Sequence, residues 1–168
     1  MTMHFSFCPR CGGKLSLKKL EHGKLPVCGN CAYVMYQNPV PTSSALFIEG
    51  DRILLTKRAI DPQKGFWDLP GGFIEEGENP KKALRREMKE ELGVEITIGK
   101  LFDIVMDWYV FQEIRFSTLN LYYLATLKNK KLTPGDDISE AKWFSFHNPP
   151  KNLSSKNNKI ILSRLKKI

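Results

Sequence analysis

The stretch Gly72-Phe-Ile-Glu-Glu-Gly-Glu-Asn-Pro-Lys-Lys-Ala-Leu-Arg-Arg-Glu-Met-Lys-Glu-Glu-Leu-Gly-Val94 sets Glu87, Glu90 and Glu91 at offsets of three and four residues. On an α-helix those offsets share one face. Like charges so close repel, each pair costing an isolated helix about 0.2–0.5 kcal/mol, which points to a compensating divalent cation. Asn79 reads as the N-cap, Pro80 as the first helical residue and Gly93 as the left-handed stop, which predicts a helix from Pro80 to Leu92. Leu84, Met88 and Leu92 form an apolar stripe that can anchor this helix to a sheet, leaving the acidic face beside the anchor and toward a cleft. A solvated helix in which Lys82, Arg85, Arg86 and Lys89 offset the glutamates accounts for the charges alone. It does not account for the Gly-Gly loop, the proline and the terminal glycine that frame them.

The same residues spell a known pattern. Gly72, Glu78, Arg86, Glu87, Met88, Glu90, Glu91, Gly93 and Val94 fill every defined position of the Nudix box, G-x5-E-x7-R-E-U-x-E-E-x-G-U with U aliphatic, and Gly65-Phe-Trp-Asp-Leu-Pro-Gly-Gly72 resembles the usual approach to it. From about Pro41 onward the chain therefore resembles the Nudix hydrolases. The resemblance implies an α/β/α sandwich built on a mixed β-sheet, and hydrolysis of a nucleoside diphosphate linked to another moiety. It also implies Mg²⁺ (or Mn²⁺) held by Glu87, Glu90 and Glu91, to neutralise adjacent phosphates and acidify a bound water. Glu87 or another carboxylate would act as general base. By the same resemblance Glu78 pairs with Arg86 to support the loop, and Gly71 and Gly72 bring backbone close to metal and phosphate. A further carboxylate is expected just before the last core strand, where Asp137 is the first choice and Glu140 the second. Arg58, ending a strand before the box, is a candidate phosphate contact or a surface ion pair. Tyr109 and Phe111 are chosen as stacking partners for the base from the aromatics near the loops, which also include Phe66, Trp67 and Trp108. Trp67 reads as a packing residue.

All four cysteines lie in Cys8-Pro-Arg-Cys11 and Cys28-Gly-Asn-Cys31, the spacing of a tetrathiolate Zn²⁺ site. Two disulfides would need an oxidising compartment that nothing in the sequence suggests, and a thioredoxin-like motif would need one pair only. A closed four-sulfur site leaves no position for water, so its expected role is structural. His4 and His22 read as surface residues. Lys14 to Leu20 reads as one ribbon strand with His22-Gly23 as the turn, and Tyr36-Gln-Asn-Pro-Val-Pro41 as a linker. The expected organisation is a zinc ribbon over residues 1–36 and a Nudix domain over 37–168, an arrangement similar to the NADH-pyrophosphatase branch of the family.

Strands are expected at Ser44–Ile48 and Arg52–Lys57 around a Gly50-Asp51 turn, then at Glu95–Ile98, Leu101–Val105, Ile114–Leu127 and Lys142–Phe146. A second helix is expected near Ser155–Lys167, with Ile161, Leu165 and Ile168 on one face. The composition, 42% hydrophobic and 26% charged, is that of a globular protein, and the sequence contains neither a membrane-length apolar run nor a leader-like start. A cytoplasmic protein without membrane contact is expected, and a homodimer is left open. The net charge of +8 would favour anionic ligands or nucleic acid, but much of it sits in the lysine-rich C-terminal tail. Nucleic acid is not expected as a partner of the protein, because residues 151 to 168 contain no aromatic side chain for base stacking.

NADH-pyrophosphatase relatives carry a Ser-Gln-Pro-Trp type segment after the box, where this chain has Leu101-Phe-Asp-Ile-Val-Met-Asp-Trp-Tyr-Val-Phe111. The expected substrate is therefore an ADP-containing small molecule such as ADP-ribose, with NAD(H), FAD and nucleotide sugars as alternatives. A different class, a non-enzymatic regulator in which a ribbon and basic tail bind nucleic acid and a Nudix-like domain senses a ligand, would be expected to lack the box glutamates. All are present.

Overall fold

The computed structural model describes residues 5–21, 23–129 and 131–167. His4, His22 and Ile168, assigned from the sequence to the surface, a turn and a helix face, lie outside the described residues. The chain forms two compact units, one of Met1–Pro39 with Tyr109–Phe116, the other of Val40–Trp108 with Ser117–Ile168.

In the first unit β1 (Leu15–Leu20) and β2 (Gly23–Cys28) form an antiparallel pair running from Leu20 opposite Gly23 to Leu15 opposite Cys28. Isolated bridges join Phe7 to Lys14 and Val27 to Val34. Cys8, Leu15 and Cys28 are buried together, so the small core is built around sulfur rather than large apolar side chains.

In the second unit β3 (Val40–Glu49) is the hub. It runs parallel to β8 (Ile114–Leu127), antiparallel to β6 (Gly71–Phe73), and closes a hairpin with β4 (Arg52–Arg58) through Gly50, whose φ of 61° requires a glycine-like turn. β5 (Trp67–Asp68) and β9 (Ile138–Ser145) pair with β4, and β7 (Ile96–Phe111) lies beside β8 at the edge. Among the described residues these seven strands form one mixed sheet.

Both faces of the sheet are covered, which the alternation of side chains makes visible. Ala45, Phe47, Leu54 and Tyr123 pack with Leu84, Met88 and Leu92 of α1 (Pro80–Leu92), while Leu46, Ile53, Leu55 and Tyr122 pack with Ile161, Leu162 and Leu165 of α2 (Lys156–Leu165). The result is the expected α/β/α sandwich. Among the described residues no helix is long and apolar enough to cross a membrane.

Several sequence-based boundaries change. Strands expected at Glu95–Ile98 and Leu101–Val105 are one strand, because Gly99 does not break it: a Cβ there would lie 3.1 Å from the Leu124 carbonyl oxygen, so glycine permits close approach of the neighbouring strand. Consequently Trp108, Tyr109 and Phe111 stand in strand β7 and not in loops. The linker ends before Val40, since Pro41 near the strand start already aligns with Leu119. The last strand begins at Ile138 rather than Lys142, because β4 offers it a partner along its whole length. β5 and β6 are too short for hydrophobic periodicity to reveal.

Candidate functional site

The box helix is held in place at both ends. The Asn79 side chain accepts from the Lys81 N–H at 3.0 Å, and Gly93, with φ of 66°, donates to the Lys89 carbonyl at 3.1 Å while Val94 donates to that of Met88. With Leu84, Met88 and Leu92 fully buried, Glu91 is drawn down beside them to 5% exposure and Glu87 is half-buried. Helical spacing thus forces two carboxylates into the rim of the core.

The Gly-Gly loop lies against them. Gly71 donates to Glu91 Oε2 at 3.1 Å. Gly71, with φ of 141°, packs so closely on β3 that an added Cβ would lie 2.2 Å from the Ser43 carbonyl oxygen. On Gly72 a Cβ would lie 2.4 Å from the Glu87 carboxyl carbon. The two glycines therefore have different constraints, one backbone and one carboxylate.

Arg86 organises the outer part of the site. Its Nη2 and Nε reach the Glu78 carboxylate at 2.9 and 3.2 Å, Nη2 also donates to the Phe73 carbonyl, and Nη1 bridges Glu87 at 2.8 Å and Glu90 at 3.0 Å. The Glu78–Arg86 pairing expected from the sequence is present. Hydrogen bonding from Arg86 holds the Glu78 carboxyl below the usual range, and Glu78 in turn strengthens the protonation of Arg86.

The loop before β9 docks on the end of the same helix. Thr133 N–H donates to the Leu92 carbonyl at 2.8 Å and Gly135 N–H to the Glu91 carbonyl at 3.0 Å, while Ala59 N–H donates to the Asp137 carbonyl at 2.6 Å. These bonds bring Asp137 into the electrostatic field of Glu87 and Glu91. Burial first, then Asp137 and Glu87, push the Glu91 carboxyl well above the ordinary value. Burial also raises Glu87, against Arg86, with Glu90 and Asp137 adding to the rise. Glu87 and Glu91 are hard oxygen donors of the kind that a divalent cation takes.

The structure brings Glu87, Glu91, Gly71 and Gly72 together, with Asp137 on the loop that hydrogen-bonds to the last turn of α1; among the described residues the four cysteines are the one set of three or more His, Cys, Asp or Glu side chains gathered closely enough to share a metal ion. Glu90 belongs to the same helix face but is exposed and turned to Arg86. Glu140 points elsewhere and pairs with Lys57 at 3.6 Å. Arg58 Nε is occupied by the Pro62 carbonyl at 2.9 Å. Trp67 packs edge-on against Phe144 with ring centroids 4.7 Å apart, as its packing assignment requires. Tyr109 and Phe111 lie nearly parallel at 6.5 Å and group with residues 1–39 rather than with the carboxylates.

Sequence reasoning missed Asp68. Its half-buried carboxylate accepts from Leu69 N–H at 2.8 Å and Asn158 at 2.9 Å; desolvation raises it, and its charge contributes to the rise at Glu91. A single Asp before Leu-Pro-Gly-Gly reads as a turn residue, and only the packing of α2 on β5 reveals its burial.

The four cysteines are free, and their sulfur atoms all lie within 4.8 Å of one another, a set that could hold a metal ion. The Asn30 N–H lies 3.4 Å from Cys28 Sγ. Backbone hydrogen bonding at Cys31, helped by Asn30, lowers the Cys28 thiol to about 6. Cys31 feels a lowering hydrogen bond from Tyr33 that Cys11, burial, Cys28 and Cys8 together outweigh, and it is pushed up to about 12.

Comparison with known proteins agrees with this architecture. Residues 39–164 match the NUDIX domain family. The chain is 33% identical over 129 residues to an ADP-ribose pyrophosphatase of Methanocaldococcus jannaschii, covering 77% of this chain and 75% of that protein. It is 30% identical over 151 residues to the NAD-capped RNA hydrolase NudC of Vibrio vulnificus, covering 89% of this chain and 54% of that one, and so spans about half the length of this relative. A NUDIX hydrolase structure from Nitrosomonas europaea aligns with a TM-score of 0.75 at 28% identity, covering 96% of this chain and 89% of that chain.

Proposed function

The chain belongs to the Nudix hydrolase family, and on that premise we propose that it cleaves the diphosphate bridge of an ADP-containing substrate such as ADP-ribose, with Mg²⁺ or Mn²⁺ as catalytic cofactor. The observation that carries this reading is the placement of Glu87 and Glu91, neighbours on the box helix, against the Gly71-Gly72 backbone. The likeness to the archaeal ADP-ribose pyrophosphatase supports the choice of substrate.

When bound, the divalent ion supplies charge neutralisation of the two phosphates and a more acidic water. Glu87, Glu90 and Glu91 are the residues that would hold it. Glu91 is fixed by the Gly71 N–H, and Glu87 is aimed by Arg86, which is itself anchored through Glu78. Asp137, on the opposite loop, is the proposed proton acceptor for the attacking water. Gly72 keeps the loop clear of the Glu87 carboxylate. Arg58 is proposed as a phosphate contact through its remaining guanidinium nitrogens. In the N-terminal unit Cys8, Cys11, Cys28 and Cys31 are proposed to bind one structural Zn²⁺. The domains proposed are the ribbon, residues 1–36, and the Nudix domain, residues 37–168.

A second reading, cleavage at an NAD-linked diphosphate, is favoured by the NudC alignment, whose 151 residues reach into the ribbon. The test is hydrolysis of ADP-ribose, NADH, FAD, a nucleotide sugar and a nucleoside triphosphate with Mg²⁺. AMP release with the highest kcat/KM on ADP-ribose supports the proposal, a preference for NADH supports the second reading, and a preference for the triphosphate overturns both.

A further inference from the structure

Asp68 stands shortly before Gly71, the residue whose N–H fixes Glu91, yet its side chain turns to α2. One oxygen, Oδ1, accepts both the Leu69 N–H at 2.8 Å and Asn158 Nδ2 at 2.9 Å, and Asn158 Nδ2 also donates to Ser154 Oγ at 2.9 Å. Leu69, Ser154 and Asn158 are all buried, so water does not stand in for any of these partners. A desolvated carboxylate held by neutral donors is a costly way to fasten a helix. Ile161, Leu162 and Leu165 already fasten α2 to the sheet without it.

The segment that carries Asp68 has little slack. On one side Trp67 donates to the Asn152 carbonyl at 2.9 Å and accepts from the Ser154 N–H at 2.8 Å. On the other the Pro70 carbonyl accepts from Ala45 N–H at 2.8 Å, and Gly71 presses on the backbone of β3. Only Asp68 and Leu69 lie between these fixed points, and the Asp68 carboxylate satisfies the buried Leu69 N–H. Without it that N–H and the Asn158 amide would be orphaned, and the turn would move until each found another acceptor. Gly71 N–H, and the Glu91 carboxylate that it holds, would move with the turn.

We infer that Asp68 is a positioning residue for the metal site: the hydrogen bonds from Leu69 and Asn158 to its carboxylate couple α2 to the Gly71-Gly72 loop and so set where the Glu91 carboxylate stands. The effect on turnover rests on the hydrolase reading above, whereas the coupling itself is measurable without substrate. Shape and charge separate cleanly at this position. Asparagine keeps an Oδ1 that accepts from both Leu69 and Asn158 and discards the charge, while alanine discards both.

The test uses the full chain, with Mn²⁺ affinity read from the electron paramagnetic resonance signal of the free ion and Gly71 amide exchange read in metal-free protein, each below the Tm of the variant. Asp68→Ala and Asn158→Ala are each expected to weaken Mn²⁺ binding by about 10–100-fold, and the double variant by no more than the weaker binder of the two, because both remove one coupling. Gly71 exchange should quicken by about tenfold in both, as one hydrogen-bonded link is lost. Asp68→Asn is expected to stay near wild type in both measurements. Ile161→Val, which loosens α2 in the core and leaves both hydrogen bonds of Asp68 in place, should lower Tm and change neither. Asp68→Ala with wild-type affinity and exchange, Asp68→Asn as impaired as Asp68→Ala, or Ile161→Val as impaired as either would each overturn the inference. Wild-type protein that binds Mn²⁺ and cleaves no nucleotide would end the hydrolase reading and leave the affinity and exchange results to decide this one.

Discussion

A Cβ on Gly72 would lie 2.4 Å from the carboxyl carbon of Glu87, whereas on the adjacent Gly71 it would meet the backbone of Ser43 and Ser44. Glu87 can swing aside at the end of a flexible side chain; β3 cannot. Gly72→Ala is therefore expected to fold with nearly unchanged Tm and to lose about 10²-fold or more in kcat, since a displacement of about 1 Å at a reacting centre has that effect. Gly71→Ala is expected to lose roughly 2–4 kcal/mol of stability, from a φ that disfavours side chains and from the backbone clash. Thermal melts and turnover of both variants separate the two outcomes.

Glu91 supports a prediction with a definite sign. Its carboxyl is raised in the folded protein above the ordinary 4.5, so the folded state holds the proton more tightly than the unfolded one. Stability present below about 4.5 is then lost as pH rises through the folded value. In EDTA, the wild-type Tm should fall from mildly acidic to neutral pH, and Glu91→Gln should flatten that fall and melt higher at neutral pH. The same variant should lose about 10²–10⁴-fold in kcat with Mg²⁺. A variant with normal turnover at saturating Mg²⁺ would remove Glu91 from the metal site.

Arg86 serves Glu78, Glu87 and Glu90 at once, with a fork that lysine cannot reproduce. Arg86→Lys is expected to lower Mg²⁺ affinity or kcat by about 10–100-fold, the usual effect of removing a group that orients metal ligands. Glu78→Gln should have a smaller effect in the same direction. Equal activity of all three proteins across a Mg²⁺ titration would exclude the orienting role.

The cysteine cluster should yield one zinc per chain, lost in Cys11→Ser and Cys28→Ser with partial retention of ADP-ribose turnover. Zinc must displace thiol protons, so its affinity should fall as pH drops, most steeply below about 6, where Cys28 is also protonated. Metal analysis and mass spectrometry decide between this and a pair of disulfides.

Local chemistry determined the parts of this protein that the sequence displays. Asn79, Pro80 and Gly93 bound a helix whatever surrounds it, the 3.6-residue period puts Glu87 and Glu91 on one side of the Leu84-Met88-Leu92 stripe, and two Cys-x2-Cys pairs suffice to describe a sulfur cluster. Other features depend on contacts between residues far apart in sequence. Asp137 reaches the field of Glu91 because Gly135 and Thr133 hydrogen-bond to the last turn of α1, and no local pattern encodes that docking. Gly99 looks like a strand break and is instead a place where Leu124 comes close. Asp68 looks like a turn residue and is desolvated by α2. Tyr109 and Phe111 look like loop aromatics and lie in an edge strand, because strand length is set by the partner β8 and not by the composition of the segment. Burial and long-range pairing are properties of the assembled sheet, so only the tertiary structure decided them.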